Sequence, residues 1–227
     1  MKLPKETNGH GRWYNDACGT AFGLELLGER WSMLVVRELM LGPRRFSGLR
    51  ASLPGISAKV LTERLGALEE AGVLVKRMLE EPAPVQVYEL TEWGYRAEPV
   101  MQELGRWAAM SSAHDPMLPL SPVSIMLSLR TMFDPAKAEG LDFKAGFDIG
   151  GERFVAQLRG GELPVRRGDP ADADFIIRAP NATALAALFY AGVPLEELER
   201  EMGLSIEGDS KAAMHFASIF ELPEKLA

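Results

Sequence analysis

Four basic or hydroxyl side chains lie within residues 57–64 of the segment GISAKVLTERLGALEEAGVL: Ser57, Lys59, Thr62 and Arg64. Lysine and arginine can bond guanine edges or phosphate oxygens, and serine and threonine can bond either. At the start of a helix such a set suits DNA, because base edges are contacted from the N-terminal turns of a helix in the major groove. Taken alone, the set is better explained as a solvated helix face, and only the surrounding segments reverse that interpretation.

The helix that carries these side chains is predicted over residues 57–71. Ser57 can cap its first turn, and Gly72 can end it. Its buried stripe recurs at i, i+4 and i+7: Leu61, Leu65 and Leu68. These leucines leave the polar side chains of the first two turns on the outward side of the helix.

An arginine pair precedes the neighbouring helix, in the segment GPRRFSGLR at residues 42–50. Arg44 and Arg45 come just before that helix, and Ser47 lies at its start. Backbone N–H groups at a helix start, together with paired arginines, suit a phosphate of the DNA backbone. The alternative is that both arginines belong to an exposed loop.

The first half of the chain is predicted to be mostly helical, over residues 17–28, 31–42, 46–53, 57–71 and 92–110. Pro99 is a point at which the last of these helices can bend. Two β-rich runs, 73–79 and 86–91, flank a proline-containing connection and are typical of a hairpin. A short helix, a tight Pro-Gly turn, an amphipathic helix and then a hairpin follow the order of a winged helix-turn-helix.

Over about residues 17–110 the sequence resembles the HxlR-type winged-helix transcriptional regulators, within the wider MarR-like group. The matching pieces are Gly28-Glu29-Arg30-Trp31, Arg44-Arg45-Phe46, Pro54-Gly55-Ile56-Ser57, Val60-Leu61-Thr62-Glu63-Arg64-Leu65, Leu68-Glu69-Glu70-Ala71-Gly72 and Tyr88-Glu89-Leu90-Thr91. The resemblance implies a homodimer joined by the first and last helices, with a recognition helix near 57–71. It also implies that Trp13, Trp31 and Trp107 are interface or core aromatics, with core packing expected for Trp31.

The single cysteine, Cys18, opens the first predicted helix, and a helix N-terminus can lower a thiol pKa. The resemblance implies a redox role, because some HxlR-type regulators sense oxidants or electrophiles through a cysteine in this region. Against that role, no basic residue lies within five positions of Cys18, and free cysteines are usually buried and inert. One cysteine excludes an internal disulfide and a multi-cysteine zinc site, which suits a reducing, cytosolic setting.

Charge is distributed unevenly along the chain. Residues 1–110 hold 14 Lys and Arg against 14 Asp and Glu, whereas residues 111–227 hold 11 against 18, so the second half carries the whole net charge of −7. Glu80 and Glu81 stand at the start of the wing, where they would face the phosphate backbone. We therefore expect DNA binding that depends strongly on sequence and on salt.

The second half alternates with period 2, as half-buried strands do. The run DFKAGFDI at 142–149 is the clearest strand, and further strands are predicted over 153–159, at LPVRR and over 174–179. Helices are predicted before, within and after them, at SPVSIMLSLRTMF, ATALAALFYAG, LEELEREM and SKAAMHFASIF. The fold class is therefore α+β: an N-terminal winged helix-turn-helix domain and a C-terminal α/β sandwich-like domain, with helices on one face of a mixed or antiparallel sheet.

The C-terminal half resembles the sterol-carrier-protein fold, in DFIIRAPNATALAALFYAG and in the segment from Gly203 to Phe220. The resemblance implies that lipids or other apolar molecules lie between a sheet and helices. The side chains that could line such a pocket are Phe143, Phe147, Phe154, Phe175, Phe189, Met214, Phe216 and Phe220. The same set describes a packed core, so both interpretations stay open.

The boundary between the halves is predicted at SSAHDPMLPLSP, residues 111–122, where three prolines bias their predecessors away from helix. The predicted domains are a winged-helix DNA-binding and dimerisation domain over 1–112, a linker over 113–122 and a sterol-carrier-like α/β domain over 123–227.

Enzyme classes find no support in the sequence. The three histidines are scattered, and the motifs GxxxxGK[ST], HExxH and a helix-opening GxGxxG are absent, so we expect no enzyme activity, no cofactor and no metal. The segment MKLPKETNGHGRW lacks the apolar centre of a signal peptide. No run approaches the ~18 apolar residues of a membrane helix, so a cytoplasmic protein without a membrane partner is expected.

These observations predict a cytoplasmic, dimeric transcriptional repressor. Its partner would be double-stranded DNA with an inverted-repeat operator, and its effector a hydrophobic small molecule. A first alternative is a regulator with a purely structural C-terminal domain. A second is a lipid-binding or carrier protein whose winged helix contacts other proteins.

Overall fold

The structure, a computed structural model, describes residues 14–80, 84–116 and 118–226. Trp13 and Glu81, singled out in the sequence, lie outside the described residues. The chain forms two compact units that divide between Ala97 and Glu98. The helix that follows Ala97 therefore packs with the C-terminal unit, while the functional domains predicted over 1–112, 113–122 and 123–227 stay a prediction.

The N-terminal unit is a winged helix-turn-helix, as the sequence predicts. Its elements are α1 (Gly19–Leu27), α2 (Ser32–Leu39), α3 (Phe46–Ser52), α4 (Ala58–Glu70), β1 (Leu74–Leu79), β2 (Val85–Leu90) and α5 (Glu92–Tyr95). Strands β1 and β2 pair antiparallel, with Leu74 opposite Leu90. Arg44 adds a one-residue bridge to the hairpin through Tyr88, which brings the segment before α3 against the wing.

The core of this unit is made by one apolar face each of α2, α3 and α4. The predicted leucine stripe of α4 is confirmed, since Leu61, Leu65 and Leu68 are at most 1% exposed. Val35, Leu39 and Leu49 from the other two helices are fully buried as well. Full burial of one such side chain stabilises a fold by roughly 1.5–3 kcal/mol.

The single helix predicted over 92–110 is wrong, because the structure divides it into α5 and α6 (Glu98–Ala109). The reason is Pro99, which has no backbone N–H and disfavours a helical conformation in the residue before it. Pro99 is the second residue of α6, where a backbone N–H would have no partner within the helix. Proline therefore starts a new helix here instead of bending a continuous one.

The C-terminal unit is an α/β layer structure around a five-stranded sheet. After α6 come α7 (Pro122–Thr131), β3 (Phe143–Ile149), β4 (Glu152–Leu158), β5 (Val165–Arg167), β6 (Phe175–Ala179), α8 (Ala182–Tyr190), α9 (Leu195–Met202), β7 (Ser205–Gly208) and α10 (Ser210–Ala217). The strand order is β5-β4-β3-β6-β7, and only β3 and β6 pair in parallel. The sheet is therefore mixed, and the predicted α+β class is confirmed.

Strand β7 is an element that the sequence analysis did not predict. It spans four residues, of which only Ile206 is a large apolar residue, so it offers too short an alternation to recognise. Its position is set by β6, since Ile206 lies opposite Ile177. Pairing with a strand already in place thus defines β7 more than its own residues do.

Helix α7 is buried around most of its circumference, as expected for a helix that is apolar on all sides. Polar side chains tie α6 to it. Arg130 of α7 forms an ion pair with Glu98 at 2.6 Å, and Arg106 donates to the carbonyl oxygen of Thr131 at 2.5 Å. These contacts join α6 to α7 within the C-terminal unit.

Within the described parts of the chain, no helix combines the length and the hydropathy that crossing a bilayer requires.

Candidate nucleic-acid interface

The turn between α3 and α4 fixes the angle at which α4 leaves the unit. Leu53 and Ile56, on either side of the turn, are buried, and the N–H of Ile56 donates to the carbonyl oxygen of Leu53 at 3.1 Å. Gly55 lies between them with a φ of +91°, a conformation that residues with a side chain rarely adopt. The turn is therefore anchored by burial at both ends and depends on glycine.

Helix α4 begins with the predicted cap and presents a polar outward face. The hydroxyl oxygen of Ser57 accepts from the backbone N–H of Val60 at 3.2 Å. We define the outward face by its exposed residues Ala58, Lys59, Thr62 and Glu63. Its 13 residues make α4 about 20 Å long, at ~1.5 Å per residue. The face thus carries the basic and hydroxyl groups predicted for DNA, together with one carboxylate that the prediction did not include.

Thr62 and Arg64 are engaged within the unit. The hydroxyl of Thr62 donates to the carbonyl oxygen of Ala58 at 2.9 Å, which leaves its oxygen as an acceptor. Arg64 points away from the outward face: its side chain is 20% exposed and pairs with Glu29 at 3.2 Å. In this arrangement Arg64 holds α4 against the segment that precedes α2.

The two arginines before α3 point in opposite directions. Arg44 has a side chain only 12% exposed, and its Nη1 lies 3.7 Å from a carboxylate oxygen of the buried Glu38. Arg45 and Ser47 are exposed. Arg45 is extended, with φ −71° and ψ 155°, and side chains of successive residues alternate in such a backbone. The expectation of two outward arginines is therefore met only by Arg45.

Sequence reasoning missed two charged residues near this surface. Arg50, in the last turn of α3, is exposed. Glu38 is completely buried on α2. A signal for Glu38 existed, because it follows Val35 by three positions and adjoins Leu39, so helical spacing puts it on the buried face.

Ion pairs neutralise both basic side chains of the wing strands β1 and β2. Lys76 pairs with Glu69 at 2.6 Å, and Arg77 forms an ion pair with Glu89 on the neighbouring strand. The hydrogen bond from Glu69 raises the pKa of Lys76 above its ordinary value. Glu80, where β1 ends, is exposed. The wing therefore presents little unpaired positive charge to a phosphate backbone.

Cys18 is exposed at the N-cap position of α1, so the alternative of a buried, inert thiol does not hold. Hydrogen bonds from the backbone N–H and hydroxyl of Thr20, and then from the N–H of Ala21, lower the pKa of the Cys18 thiol. The first turn of the helix thus stabilises the thiolate, which is the reactive form of cysteine. A sensing role stays a prediction.

Six of the eight apolar side chains proposed for a pocket form one aromatic cluster in the C-terminal unit. Its members are Phe143, Phe147, Phe175, Phe189, Phe216 and Phe220. Phe216 is its centre, with ring centroids of the other five between 5.0 and 6.4 Å away. These distances are those of favourable aromatic pairs.

The remaining two side chains of that set, Phe154 and Met214, differ in their surroundings. Phe154 is buried, but its ring packs beneath the guanidinium of Arg167 at 4.8 Å. Met214 lies at the surface with 38% of its area exposed. The structure therefore brings six of the predicted pocket residues into one cluster, places Phe154 beside Phe147 on the same face of the sheet, and leaves Met214 at the surface.

Comparison with known proteins covers the N-terminal part of the chain. A family model described as HxlR-like helix-turn-helix matches residues 26–115. The HTH-type transcriptional regulator YodB of Bacillus subtilis (strain 168) is 41% identical over 83 residues, which cover 37% of this chain and 74% of YodB. The uncharacterised HTH-type transcriptional regulator YvaP of the same organism is 42% identical over 86 residues, covering 37% of this chain and 79% of YvaP.

Among solved structures, the reduced form of YodB from B. subtilis is similar to this chain with 35% sequence identity and a TM-score of 0.40. The superposition covers 44% of this chain and 100% of that one.

The environment of Cys18 predicts a thiol that reacts at lower pH than an ordinary cysteine. Because its pKa is lowered, the thiolate fraction at neutral pH is larger, so the midpoint of the pH–rate curve for iodoacetamide alkylation should move down. Mass spectrometry of the alkylated protein measures this without ambiguity, since the chain has one cysteine. Thr20→Val, which keeps both backbone donors, should move the midpoint part of the way back. A native midpoint equal to that of the urea-unfolded protein would contradict the prediction.

Proposed function

The chain belongs to the HxlR-like helix-turn-helix family of DNA-binding transcriptional regulators, and we propose that it acts as a dimeric repressor reading an inverted-repeat operator. The observation that carries the proposal is the outward face of α4, presented by an anchored turn with Lys59 and Thr62 exposed. About 20 Å of helix fits the major groove, and residues of its first turns then reach base edges. Twofold symmetry would place half-sites about one helical turn apart, or a multiple of it.

Within this proposal the predicted DNA residues take two roles. Lys59, Thr62 and Ser57 face the groove, while Arg45 and Ser47 contact phosphates from the start of α3. Arg44 and Arg64 do not contact DNA in this proposal. They hold α3 and α4 in position, because their guanidiniums pair with Glu38 and Glu29. Substituting either of these two arginines would disturb packing as well as charge, so Arg45 and Lys59 give the cleaner test.

We expect Arg45→Ala and Lys59→Ala to weaken DNA binding in different ways. Loss of a phosphate contact at Arg45 should weaken operator and unrelated DNA alike and reduce the slope of log K against log salt by about 0.9. Loss of a base contact at Lys59 should cost the operator about 1–3 kcal/mol while affecting unrelated DNA less. Fluorescence anisotropy over a salt series, on an operator found by selection, measures both.

Lys211→Ala is the matched control, since it removes an exposed positive charge from the C-terminal unit. It should leave affinity and slope unchanged. Wild-type protein that selects no DNA sequence yet co-purifies with lipid would overturn the proposal in favour of the carrier alternative.

A homodimer is supported by two helices that leave apolar side chains uncovered. In α1 no residue is fully buried, and Leu24 is 49% exposed. A nine-residue helix without packing is only marginally stable in water, so we expect α1 to pack against another apolar surface. On α6 the exposed apolar residues follow helical spacing: Val100, Leu104 and Trp107. We propose that both helices pack against a second copy of the chain.

Leu104→Glu should therefore dissociate the dimer, because a carboxylate on this face would lose its hydration in the interface. Sedimentation equilibrium measures the change as a rise in the dimer dissociation constant. Trp93→Glu, which alters an exposed aromatic residue of α5, is the control and should leave the dimer intact. A wild-type protein that is monomeric at micromolar concentration would rule out this part of the proposal.

For the C-terminal unit the proposal allows a hydrophobic effector, as the sterol-carrier resemblance implies, or a purely structural role. The close ring contacts around Phe216 favour the structural role, because Phe147 and Phe175 of the sheet pack directly against Phe216 of α10. An effector that controls DNA binding would have to bind one state of the protein better than the other.

Phe216→Ala separates the two roles. In a packed core it should destabilise the C-terminal unit by about 3–5 kcal/mol, measured by urea unfolding. Met214→Ala, at the surface, should cost far less. If instead the wild-type protein carries a lipid in native mass spectrometry, and a fatty acid raises its unfolding midpoint, the effector role is supported.

A further inference from the structure

Resting on the proposed function, we infer that Glu38 is a positioning residue for DNA binding: its buried carboxylate holds Arg44, and Arg44 joins α3 to the wing. The inference concerns three parts of the N-terminal unit, namely α2, the start of α3 and strand β2. None of the three is α4, the helix proposed to enter the major groove, yet together they set the direction of the exposed residues Arg45 and Ser47.

The carboxylate of Glu38 is shared between two guanidiniums. Glu38 is 0% exposed. Its Oε1 accepts from Nε and Nη2 of Arg37 at 3.1 and 2.9 Å, and its Oε2 lies 3.7 Å from Nη1 of Arg44. A carboxylate out of reach of water is costly unless charges and donors compensate it, so this cluster resists any rearrangement that separates its members.

Arg44 contacts three elements at once. The backbone N–H of Arg44 donates to the carbonyl oxygen of Tyr88 at 2.9 Å, and the carbonyl oxygen of Arg44 accepts from the N–H of Tyr88 at 2.8 Å. These two bonds fix the backbone of Arg44 to β2. Its guanidinium lies over Gly48, where a Cβ would come within 3.5 Å of Nε and 3.6 Å of Nη2. Through Glu38 the same guanidinium is held to α2.

The position of Arg45 follows from this arrangement. Arg45 is the next residue along the chain, its backbone is extended, and its carbonyl oxygen accepts from the N–H of Leu49 in the first turn of α3. With Arg44 turned inward and pinned on both sides, Arg45 must point outward. If the charge of Glu38 is lost, the Arg44 guanidinium loses its ion pair with α2, and the start of α3 is held less firmly against that helix.

The test uses Glu38→Gln, which keeps the shape of the side chain and removes its charge, in the full-length protein. We expect at least a tenfold loss of operator affinity, measured by anisotropy well below the unfolding midpoint, with an unchanged slope of log K against log salt. The slope stays because the number of phosphate contacts is kept and only their geometry changes. Circular dichroism must show that the variant is folded.

Glu92→Gln is the control, since it removes a carboxylate from an exposed pair with Arg96 in the same unit. It should bind the operator like the wild type. If wild-type protein binds and Glu38→Gln binds equally well, the inference fails while the proposed function stands. If the wild type itself binds no operator, the proposed function fails first.

A second variant covers the case in which Glu38→Gln does not fold. Arg44→Lys keeps the positive charge but not the planar guanidinium that reaches Glu38 and covers Gly48. The inference predicts the same signature, a loss of affinity at unchanged slope. A further variant, Arg44→Gln, removes the positive charge altogether. If it reduces the slope of log K against log salt by about 0.9, Arg44 is a direct phosphate ligand and the inference is overturned.

Discussion

The direction in which α4 faces depends on the burial of its leucine stripe. Three leucines at ~1.5–3 kcal/mol each outweigh any contact between exposed charges, which is worth about 0–1 kcal/mol. A rotation of α4 that buried Thr62 or Glu63 instead would lose that stabilisation. The polar face is therefore what remains once the core is formed, and the proposed interface with DNA is positioned by hydrophobic packing, not by its own charges.

Burial, and not residue type, separates the basic residues that stabilise the fold of the N-terminal unit from those that stay at its surface. Arg44 and Arg64 stabilise the frame through Glu38 and Glu29, whereas Arg45 and Lys59 stay at the surface. With the wing cations paired and Glu63 on the outward face, the surface offers a small excess of positive charge. Under the proposed function, nonspecific attraction to DNA is then weak, so an operator has to be distinguished by contacts to its bases and by its shape.

Hydrophobic periodicity predicted most of the helices and strands, because the spacing of apolar residues shows which side chains of an element face the core. The range 195–202 of α9 and the leucine stripe of α4 match their predictions for this reason. The failures are of another kind. The direction of Arg44 depends on Tyr88, 44 positions later in the chain, and β7 depends on its neighbour β6. Contacts between distant segments leave no pattern in a local stretch of sequence. Glu38 is a different case, because a carboxylate is not expected on the buried face that helical spacing shares among it, Val35 and Leu39.

Helix α6 has one face in contact with the rest of the C-terminal unit and one that is exposed. The first face is held through Arg130, Thr131 and the ammonium of Lys225, which donates to the carbonyl oxygens of Ala109 and Ser111 at 2.9 and 3.0 Å. The other face exposes Leu104 and Trp107. A helix moves as a rigid rod over three turns, so any displacement of α7 or of the C-terminal tail also displaces the exposed side chains. If these pack against a second copy, the C-terminal unit acts on the dimer through this one helix, whether or not it binds a ligand.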